Sequence, residues 1–206
     1  MYVKPFKLSP TNIMAGAIAI YEGAWPEYNK TIEDFVSISL DPSSRIKFIP
    51  AQTNEDRLTG NFLKQSVRTN SVLPITLAAQ NNETARRINN QCYETVTSAV
   101  QSYKNMFKIK EEIKDAESYG LLRYSVGEKY NQHYDGGTES SRSISVLIYL
   151  NDDYEGGEIE FPFFNLKIKP KAGTLILFPS NYAYSHIAHP IISGTKYVIV
   201  AFLKDR

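Results

Sequence analysis

The pattern of apolar and polar residues changes its period near residue 119. Before that point, apolar residues recur every three or four positions along residues 81–109, which is the period of one helix face. The stripe comprises Ile88, Cys92, Val96, Val100, Tyr103 and Phe107. Asn81 or Asn82 is predicted to cap this helix. A second helix is predicted over residues 26–40, because proline suits its first turn.

From residue 119 onward, short apolar and β-branched segments follow one another, with Gly or Pro at nearly every junction, which is typical of strands. These segments are residues 119–126, 141–151, 156–164, 166–180, 181–192 and 195–203. Strands without intervening helices favour an antiparallel sandwich or barrel, with the earlier helices packed on one face. The simplest organisation is one domain, in which residues 1–118 support a core formed by residues 119–206.

The first 118 residues also contain less regular stretches. Residues 13–25 are predicted to form a strand followed by a turn at Gly23. Residues 41–74 are polar and contain three prolines, so we expect an irregular hairpin and loop. Long loops of this composition are often functional, and we predict a mobile lid over a binding groove.

Composition narrows the class of protein. The 206 residues carry a net charge of +1, which gives no argument for a nucleic-acid or membrane partner. The sequence has one cysteine, Cys92, so an intrachain disulfide is excluded and a reducing compartment is expected. The first ten residues lack the apolar stretch of a signal peptide, and we expect a cytoplasmic protein.

Candidate chemistry begins in "KYNQHYDGG", where His133 and Asp135 are two residues apart. In an extended strand, side chains two positions apart point the same way. The three histidines of the chain all lie in its strand-rich half, so either His186 or His189 can add a second imidazole. Two imidazoles and one carboxylate form the facial triad of non-haem Fe(II) oxygenases.

A lysine near these histidines also requires an explanation. His186 and His189 are three residues apart, so in an extended strand only one of them faces inward. Lys196 begins an apolar strand and shares a face with Val198 and its even-numbered successors. An inward-facing ammonium is costly unless it meets an anion.

These segments resemble the prolyl 4-hydroxylases, a family of Fe(II)- and 2-oxoglutarate-dependent dioxygenases. The resemblance is carried, in the family's order, by "RYSVGEKYNQHYDGG", "RSISVLIYLND", "YEGGEIEFP", "KPKAGTLILFPS" and "GTKYVIVAFL". It is strong over residues 122–203 and faint before residue 61. The segment "VRTN" at residues 67–70 is a weaker match to a family segment near the groove.

The resemblance decides between the two distal histidines. In the family, a lysine that binds 2-oxoglutarate follows the distal histidine by ten residues, and Lys196 follows His186 by ten. The resemblance therefore implies that His133, Asp135 and His186 hold Fe(II) at the catalytic centre. His189 is then expected at the surface or beside the site.

Other roles are implied by matching positions. Tyr124, with Lys196, is expected to bind 2-oxoglutarate, while Tyr130 and Arg142 are expected to contact the substrate. Two positions depart from the family pattern. Ile159 replaces a frequent threonine, which shifts anion binding to Lys196 and Tyr124, and Tyr197 replaces a frequent tryptophan.

The resemblance also implies a fold and an activity. The fold is mainly β, a jelly roll or double-stranded β-helix, with N-terminal helices on its larger sheet. The activity is hydroxylation of proline in a peptide or protein, with 2-oxoglutarate and O2 as co-substrates, Fe(II) as metal and ascorbate to restore oxidised iron. The alternatives are hydroxylation of a free amino acid, a small metabolite or another side chain, or a non-catalytic jelly-roll binding module.

Overall fold

Most of the regular structure is β. The computed structural model describes residues 8–52, 67–113, 116–136 and 141–205. Within them, the helices are α1 (Tyr28–Leu40), α2 (Ile75–Ala78) and α3 (Glu83–Phe107). The strands are β1 (Asn12–Met14), β2 (Ile18–Tyr21), β3 (Ile49–Pro50), β4 (Ser71–Pro74), β5 (Gly120–Tyr124), β6 (Tyr130–His133), β7 (Arg142–Tyr149), β8 (Glu155–Gly156), β9 (Ile159–Phe161), β10 (Leu166–Ile168), β11 (Leu175–Pro179), β12 (His186–Ala188), β13 (Ile191–Ser193) and β14 (Lys196–Lys204).

The strands form two antiparallel sheets that pack face to face. The larger sheet has the order β1-β2-β11-β7-β14-β5-β4-β3, and the smaller has the order β10-β9-β12-β6. Strands β8 and β13 form a third, two-stranded pair. Each of them lies in sequence between a strand of the larger sheet and a strand of the smaller one. A buried cluster joins strands of both sheets, with Phe161 of the smaller sheet against Phe178 of the larger. This double-sheet arrangement confirms the predicted jelly roll.

The helices cover the outer face of the larger sheet. The stripe of α3 through Ile88, Cys92 and Val96 belongs to the same buried cluster as the outward residues of β7, β11 and β14. Asn82 caps α3, since its side chain accepts a hydrogen bond from the backbone N–H of Ala85 (2.9 Å), as predicted. In the described part of the chain, every helix is too short or too polar to cross a bilayer.

Strict alternation along β14 divides its side chains between two environments. Ile199, Ala201 and Leu203 lie in the helix-covered cluster, because neighbouring residues of a strand point to opposite faces. Lys196 and Val198 point the other way, into the space between the sheets, as the sequence pattern predicts. The polar lysine therefore enters the barrel together with apolar neighbours.

The N-terminal part contributes more strand than predicted. Residues 13–25 contain a hairpin of β1 and β2, because Ala15 and Gly16 adopt positive φ angles of 47° and 76° and reverse the chain. Four of the eight strands of the larger sheet precede residue 119. Within residues 41–74, β3 and β4 pair at the sheet edge, while residues 53–66 lie outside the described residues. The lid and the single-domain organisation stay predictions.

Candidate active site

His133, Asp135 and His186 converge between the two sheets. Strands β6 and β12 are neighbours, and His186 lies directly opposite His133 in their register. Each residue offers one ligand atom, and these atoms lie within 4.8 Å of one another. Asp135 Oδ1 is 3.6 Å from His133 Nε2, and Asp135 Oδ2 is 3.8 Å from His186 Nε2. The three side chains are grouped as a single metal ion requires.

Backbone carbonyls orient both imidazoles in the same way. His133 Nδ1 is 2.7 Å from the carbonyl oxygen of Asn131, and His186 Nδ1 is 3.1 Å from that of Tyr184. A carbonyl oxygen only accepts, so each Nδ1 must carry the proton. Each Nε2 lone pair is therefore left to face Asp135. This tautomer, held from the far side of the ring, is typical of metal-binding histidines.

Asp135 reaches this cluster by a route that differs from the predicted one. Strand β6 ends at His133, and Asp135 lies in a bend, so strand alternation does not set its direction. The backbone N–H of Gly136 donates to the carbonyl oxygen of Ser180 (2.7 Å), which fastens the bend to the end of β11. The Ser145 hydroxyl then donates to Asp135 Oδ2 (2.6 Å).

Burial keeps His133 neutral. Desolvation, with a smaller contribution from the neighbouring His186, lowers the pKa of His133 to about 3, and the neutral imidazole is the form that binds metal. The Tyr130 ring stacks on His133 with centroids 3.4 Å apart, and the Arg68 guanidinium lies 4.7 Å from the Tyr130 centroid. The stack holds the imidazole from one side.

His189 lies apart from this cluster. Its Nε2 is 2.5 Å from Glu160 Oε2, and Lys167 Nζ is 3.3 Å from the same oxygen. About a quarter of each of the His189 and Glu160 side chains is exposed. Among the described residues, the histidine that joins His133 and Asp135 is thus His186.

Lys196 is an ammonium group buried inside the barrel. It is 2% exposed, and desolvation lowers its pKa to about 7, with a smaller opposing effect from Glu158. Its Nζ donates to the carbonyl oxygen of Gly157 (2.8 Å) and lies 4.4 Å from the centroid of the Tyr124 ring. An ammonium has three protons to donate, and within the described residues its hydrogen bond goes to Gly157. The position is suited to an anion that enters from the cavity.

Two barrel residues were missed by the sequence reasoning. Ser145 and Tyr149 lie on the inward face of β7, and Tyr149 lines the same cavity as Lys196 and Tyr124. Burial raises the pKa of Tyr149 well above its usual value and that of Tyr124 to about 12, so both hydroxyls remain protonated donors. Polar residues at alternate positions of an otherwise apolar strand were the available signal.

Arg142 lines the cavity at its outer end but already has partners. Its guanidinium contacts Glu117 (3.0 Å) and stacks over Phe202, 3.9 Å from the ring centroid. Lys204 also pairs with Glu117, at 2.9 Å. Burial alone would raise the pKa of Glu117, but hydrogen bonds from Arg142 and Lys204 hold it below its usual value. Arg142 is therefore held in one orientation at the cavity wall.

The cavity connects these groups. It has a volume of about 460 Å³ and runs from the triad and Lys196 to Arg142, over an apolar floor that includes Val72, Leu122 and Val200. Ile159 is part of its lining, where the resembling family often has threonine. Tyr197 instead packs against the helix-covered core, so this departure lies on the opposite face of β14.

The 2OG-Fe(II) oxygenase superfamily matches residues 119–204. Among curated proteins, prolyl 4-hydroxylase 13 of Arabidopsis thaliana is 31% identical over 172 residues, which is 65% of this chain and 62% of the relative. The chain spans less than two thirds of the length of the curated relatives it matches.

Solved structures share the fold at low sequence identity. A prolyl hydroxylase of Trichoplax adhaerens, in complex with a hypoxia inducible factor oxygen degradation domain peptide fragment, has a TM-score of 0.68 at 17% identity, covering 93% of this chain and 84% of that one. A viral collagen prolyl hydroxylase of Paramecium Bursaria Chlorella virus-1, in a 2OG complex, has a TM-score of 0.61 at 19% identity, covering 93% and 97%. Residues 119–204 therefore match the 2OG-Fe(II) oxygenase superfamily, and prolyl 4-hydroxylases are among the proteins that this chain resembles.

Proposed function

We propose that this protein is an Fe(II)- and 2-oxoglutarate-dependent dioxygenase that hydroxylates proline in a peptide or protein. The observation that carries the proposal is the shared cavity, which holds a two-histidine, one-carboxylate cluster and an inward ammonium at once. The superfamily match over residues 119–204 supports the cofactor and co-substrates. The prolyl hydroxylases among the relatives support the substrate class.

The donor set suits Fe(II). Two neutral imidazoles and one carboxylate are the ligands of non-haem Fe(II) oxygenases, and here the Nε2 atoms of His133 and His186 face the carboxylate of Asp135. When bound, Fe(II) would supply the reaction of O2 with 2-oxoglutarate and a C–H bond, which gives the hydroxylated product, succinate and carbon dioxide. Ascorbate is expected to restore iron that oxidises without product.

The remaining cavity residues bind, orient and exclude water. Lys196 is proposed to pair with the distal carboxylate of 2-oxoglutarate, and the protonated hydroxyls of Tyr124 and Tyr149 are available to donate to it. Tyr130 and Arg142 are proposed to contact the substrate. The apolar floor of the cavity suits an uncharged proline ring, because its burial removes apolar surface from water.

To test the proposal, the protein is first loaded with Fe(II) under anaerobic conditions. It is then incubated with 2-oxoglutarate, ascorbate, O2 and a panel of proline-containing peptides. We expect succinate formation that is stimulated by some peptides, and a mass increase of about 16 Da on proline, the mass of one oxygen atom. The matched panel replaces each proline by alanine. Hydroxylation that persists in that panel would point to another side chain, and stimulation by free amino acids alone would point to a small substrate.

A catalytically silent binding module is the other candidate. This candidate would be favoured if the wild type binds peptide but forms no more succinate than a variant that carries both His133→Ala and His186→Ala. The buried position of Lys196 is the feature that such a module would leave without a role.

Arg142→Ala should weaken use of the peptide without weakening 2-oxoglutarate binding. We expect KM for the peptide to rise about tenfold, the order of one hydrogen bond to a charged group, while Lys204 continues to pair with Glu117. Arg87→Ala, which removes two ion pairs that link α3 to Glu27 and to Asp34 of α1, is the control and should leave KM unchanged. Equal peptide KM values in the Arg142 variant and the wild type would remove Arg142 from the substrate site.

A further inference from the structure

A buried pair of serines lies directly behind the carboxylate of the metal cluster. Ser145 is on β7 and Ser180 follows β11, and the two residues are 0% and 1% exposed. The two Oγ atoms are 2.8 Å apart, and Ser145 Oγ is 2.6 Å from Asp135 Oδ2. Buried hydroxyls need partners, and these two form a series of hydrogen bonds that ends on Asp135.

The number of protons available decides which group donates in each of these hydrogen bonds. An ionised carboxylate only accepts, and a serine hydroxyl carries one proton. Ser145 must therefore donate its proton to Asp135, so the hydrogen bond between the serines uses the proton of Ser180. The order of donation is Ser180 to Ser145 to Asp135, and each bond polarises the next.

The backbone reinforces the same arrangement. The N–H of Gly136 donates to the carbonyl oxygen of Ser180 (2.7 Å), and the N–H of Ser180 donates to that of Ser143 (3.0 Å). A Cβ atom at Gly136 would lie 3.0 Å from the Ser180 carbonyl oxygen, so the approach is close. Asp135 lies beyond the end of its strand, and these contacts replace the strand in setting its position.

We infer that Ser145 is the positioning residue of Asp135, and that Ser180 supports it. The Ser145 hydroxyl takes one lone pair of Oδ2 and fixes the rotation of the carboxylate. In that rotation Oδ1 is 3.6 Å from His133 Nε2 and Oδ2 is 3.8 Å from His186 Nε2, so the carboxylate faces the space between the two imidazoles. The inference rests on the metal site of the proposed function. It assigns the serine pair a role in metal affinity, separate from the binding of 2-oxoglutarate or peptide.

The test is anaerobic titration of Mn(II) and Fe(II) into the metal-free protein, so that affinity is measured without turnover. Losing a hydrogen-bond partner of a ligand typically lowers metal affinity by about 10–100-fold, and we expect that range for Ser145→Ala. Ser180→Ala should lose less, because Ser145 can still donate to Asp135. Ser145→Thr keeps the hydroxyl and should recover most of the affinity.

Ser143→Ala is the matched control. It removes a serine hydroxyl from the same strand, but that hydroxyl donates to the carbonyl oxygen of Leu203 (3.3 Å), and metal affinity should not change. A double-mutant cycle gives a readout that a merely structural role would not move. In an Asp135→Ala background, Ser145→Ala should have no further effect on the residual metal affinity, because the hydroxyl acts through the carboxylate.

The outcomes separate this inference from the proposed function. If the wild type binds neither Mn(II) nor Fe(II), the proposed function fails. If the wild type binds metal and Ser145→Ala binds it equally well, the positioning role alone is overturned. An equal loss of metal affinity in Ser143→Ala would likewise overturn it. So would an undiminished effect of Ser145→Ala on metal affinity in the Asp135→Ala background, since both results would indicate a general effect on the fold.

Discussion

Replacing His186 by alanine is expected to abolish both metal binding and hydroxylation. His186 Nε2 faces Asp135 Oδ2 at 3.8 Å, so the variant removes one of the three proposed ligand side chains. Loss of a ligand should exceed the roughly 10–100-fold effect of losing a ligand's partner, and we expect affinity for Mn(II) or Fe(II) to fall by more than about a hundredfold. Anaerobic titration and succinate formation measure the two effects separately.

The chain provides its own control in His189. His189→Ala removes an imidazole three residues away whose contact is with Glu160, and solvent-screened pairs of this kind contribute little to stability. We expect metal affinity and turnover close to those of the wild type. Because His186 packs against Phe178, His186→Gln and a melting curve of the metal-free variants check that the fold survives. Loss of metal in His189→Ala with retention in His186→Ala would reverse the assignment.

Replacing Lys196 by methionine is expected to weaken 2-oxoglutarate binding while leaving metal binding intact. Breaking a buried charge pair costs about 3–5 kcal/mol, so we expect the dissociation constant to rise by at least about a hundredfold. Lys196→Arg should recover only part, because the guanidinium is longer and planar. Calorimetric titration of 2-oxoglutarate into the anaerobic, metal-loaded protein measures the change. Unchanged affinity would mean that another group holds the distal carboxylate, and Arg142 would be examined first.

The same variant is expected to stabilise the protein when 2-oxoglutarate is absent. A buried ammonium without an anionic partner costs free energy, so Lys196→Met should be more stable than the wild type before 2-oxoglutarate is added. Adding 2-oxoglutarate should then raise the melting temperature of the wild type far more than that of the variant. Lys167→Met, at a half-exposed lysine paired with Glu160, is the matched control and should show neither effect.

The depressed pKa of Lys196 sets the pH window for both effects. The folded value is about 7, against 10.5 for the exposed group. Below pH 7 the lysine is charged in both states and the full cost of burying it is present. As the pH rises from 7 towards 10.5, the folded state loses the proton first and this cost is relieved.

The affinity for 2-oxoglutarate is expected to fall over the same pH range in which the cost of burying Lys196 is relieved. Pairing needs the ammonium, so affinity should fall as the pH rises above about 7, by up to about tenfold per pH unit, since one pKa unit corresponds to 1.36 kcal/mol. The groups that face Lys196 are Tyr124, Tyr154 and Glu158, and the two tyrosines remain protonated in this range. A Lys196→Met variant with the same slope would assign the pH dependence to another group.

Some features of the site follow from local pattern, and the structure shows why. The inward position of Lys196 could be predicted because it begins a long strand, β14, whose pairing with β7 stays in register from Val198 to Leu203. The opposite directions of His186 and His189 follow for the same reason, since they lie three residues apart across β12 and its end. Period and spacing decide these directions wherever the chain is extended.

The position of Asp135 shows the limit of that reasoning. The sequence places Asp135 two residues after His133, and the pairing of the two was expected from a continuous strand. The strand ends at His133, and contacts with Ser145 and Ser180 bring the carboxylate back to the cluster. Those serines are 10 and 45 residues away from Asp135, and no local pattern relates them.

The sequence by itself determined the residue types of the site, the period of β14 and α3, and the spacing of ten between His186 and Lys196. Each of these is a property of neighbouring residues, and local backbone geometry converts it directly into direction. The tertiary structure alone decided which strands lie side by side: His186 opposite His133, Ser145 behind Asp135, and Tyr149 in the cavity of Lys196. Pairing between distant strands depends on the burial of whole faces at once, so it is set by the complete sheet and not by any one segment.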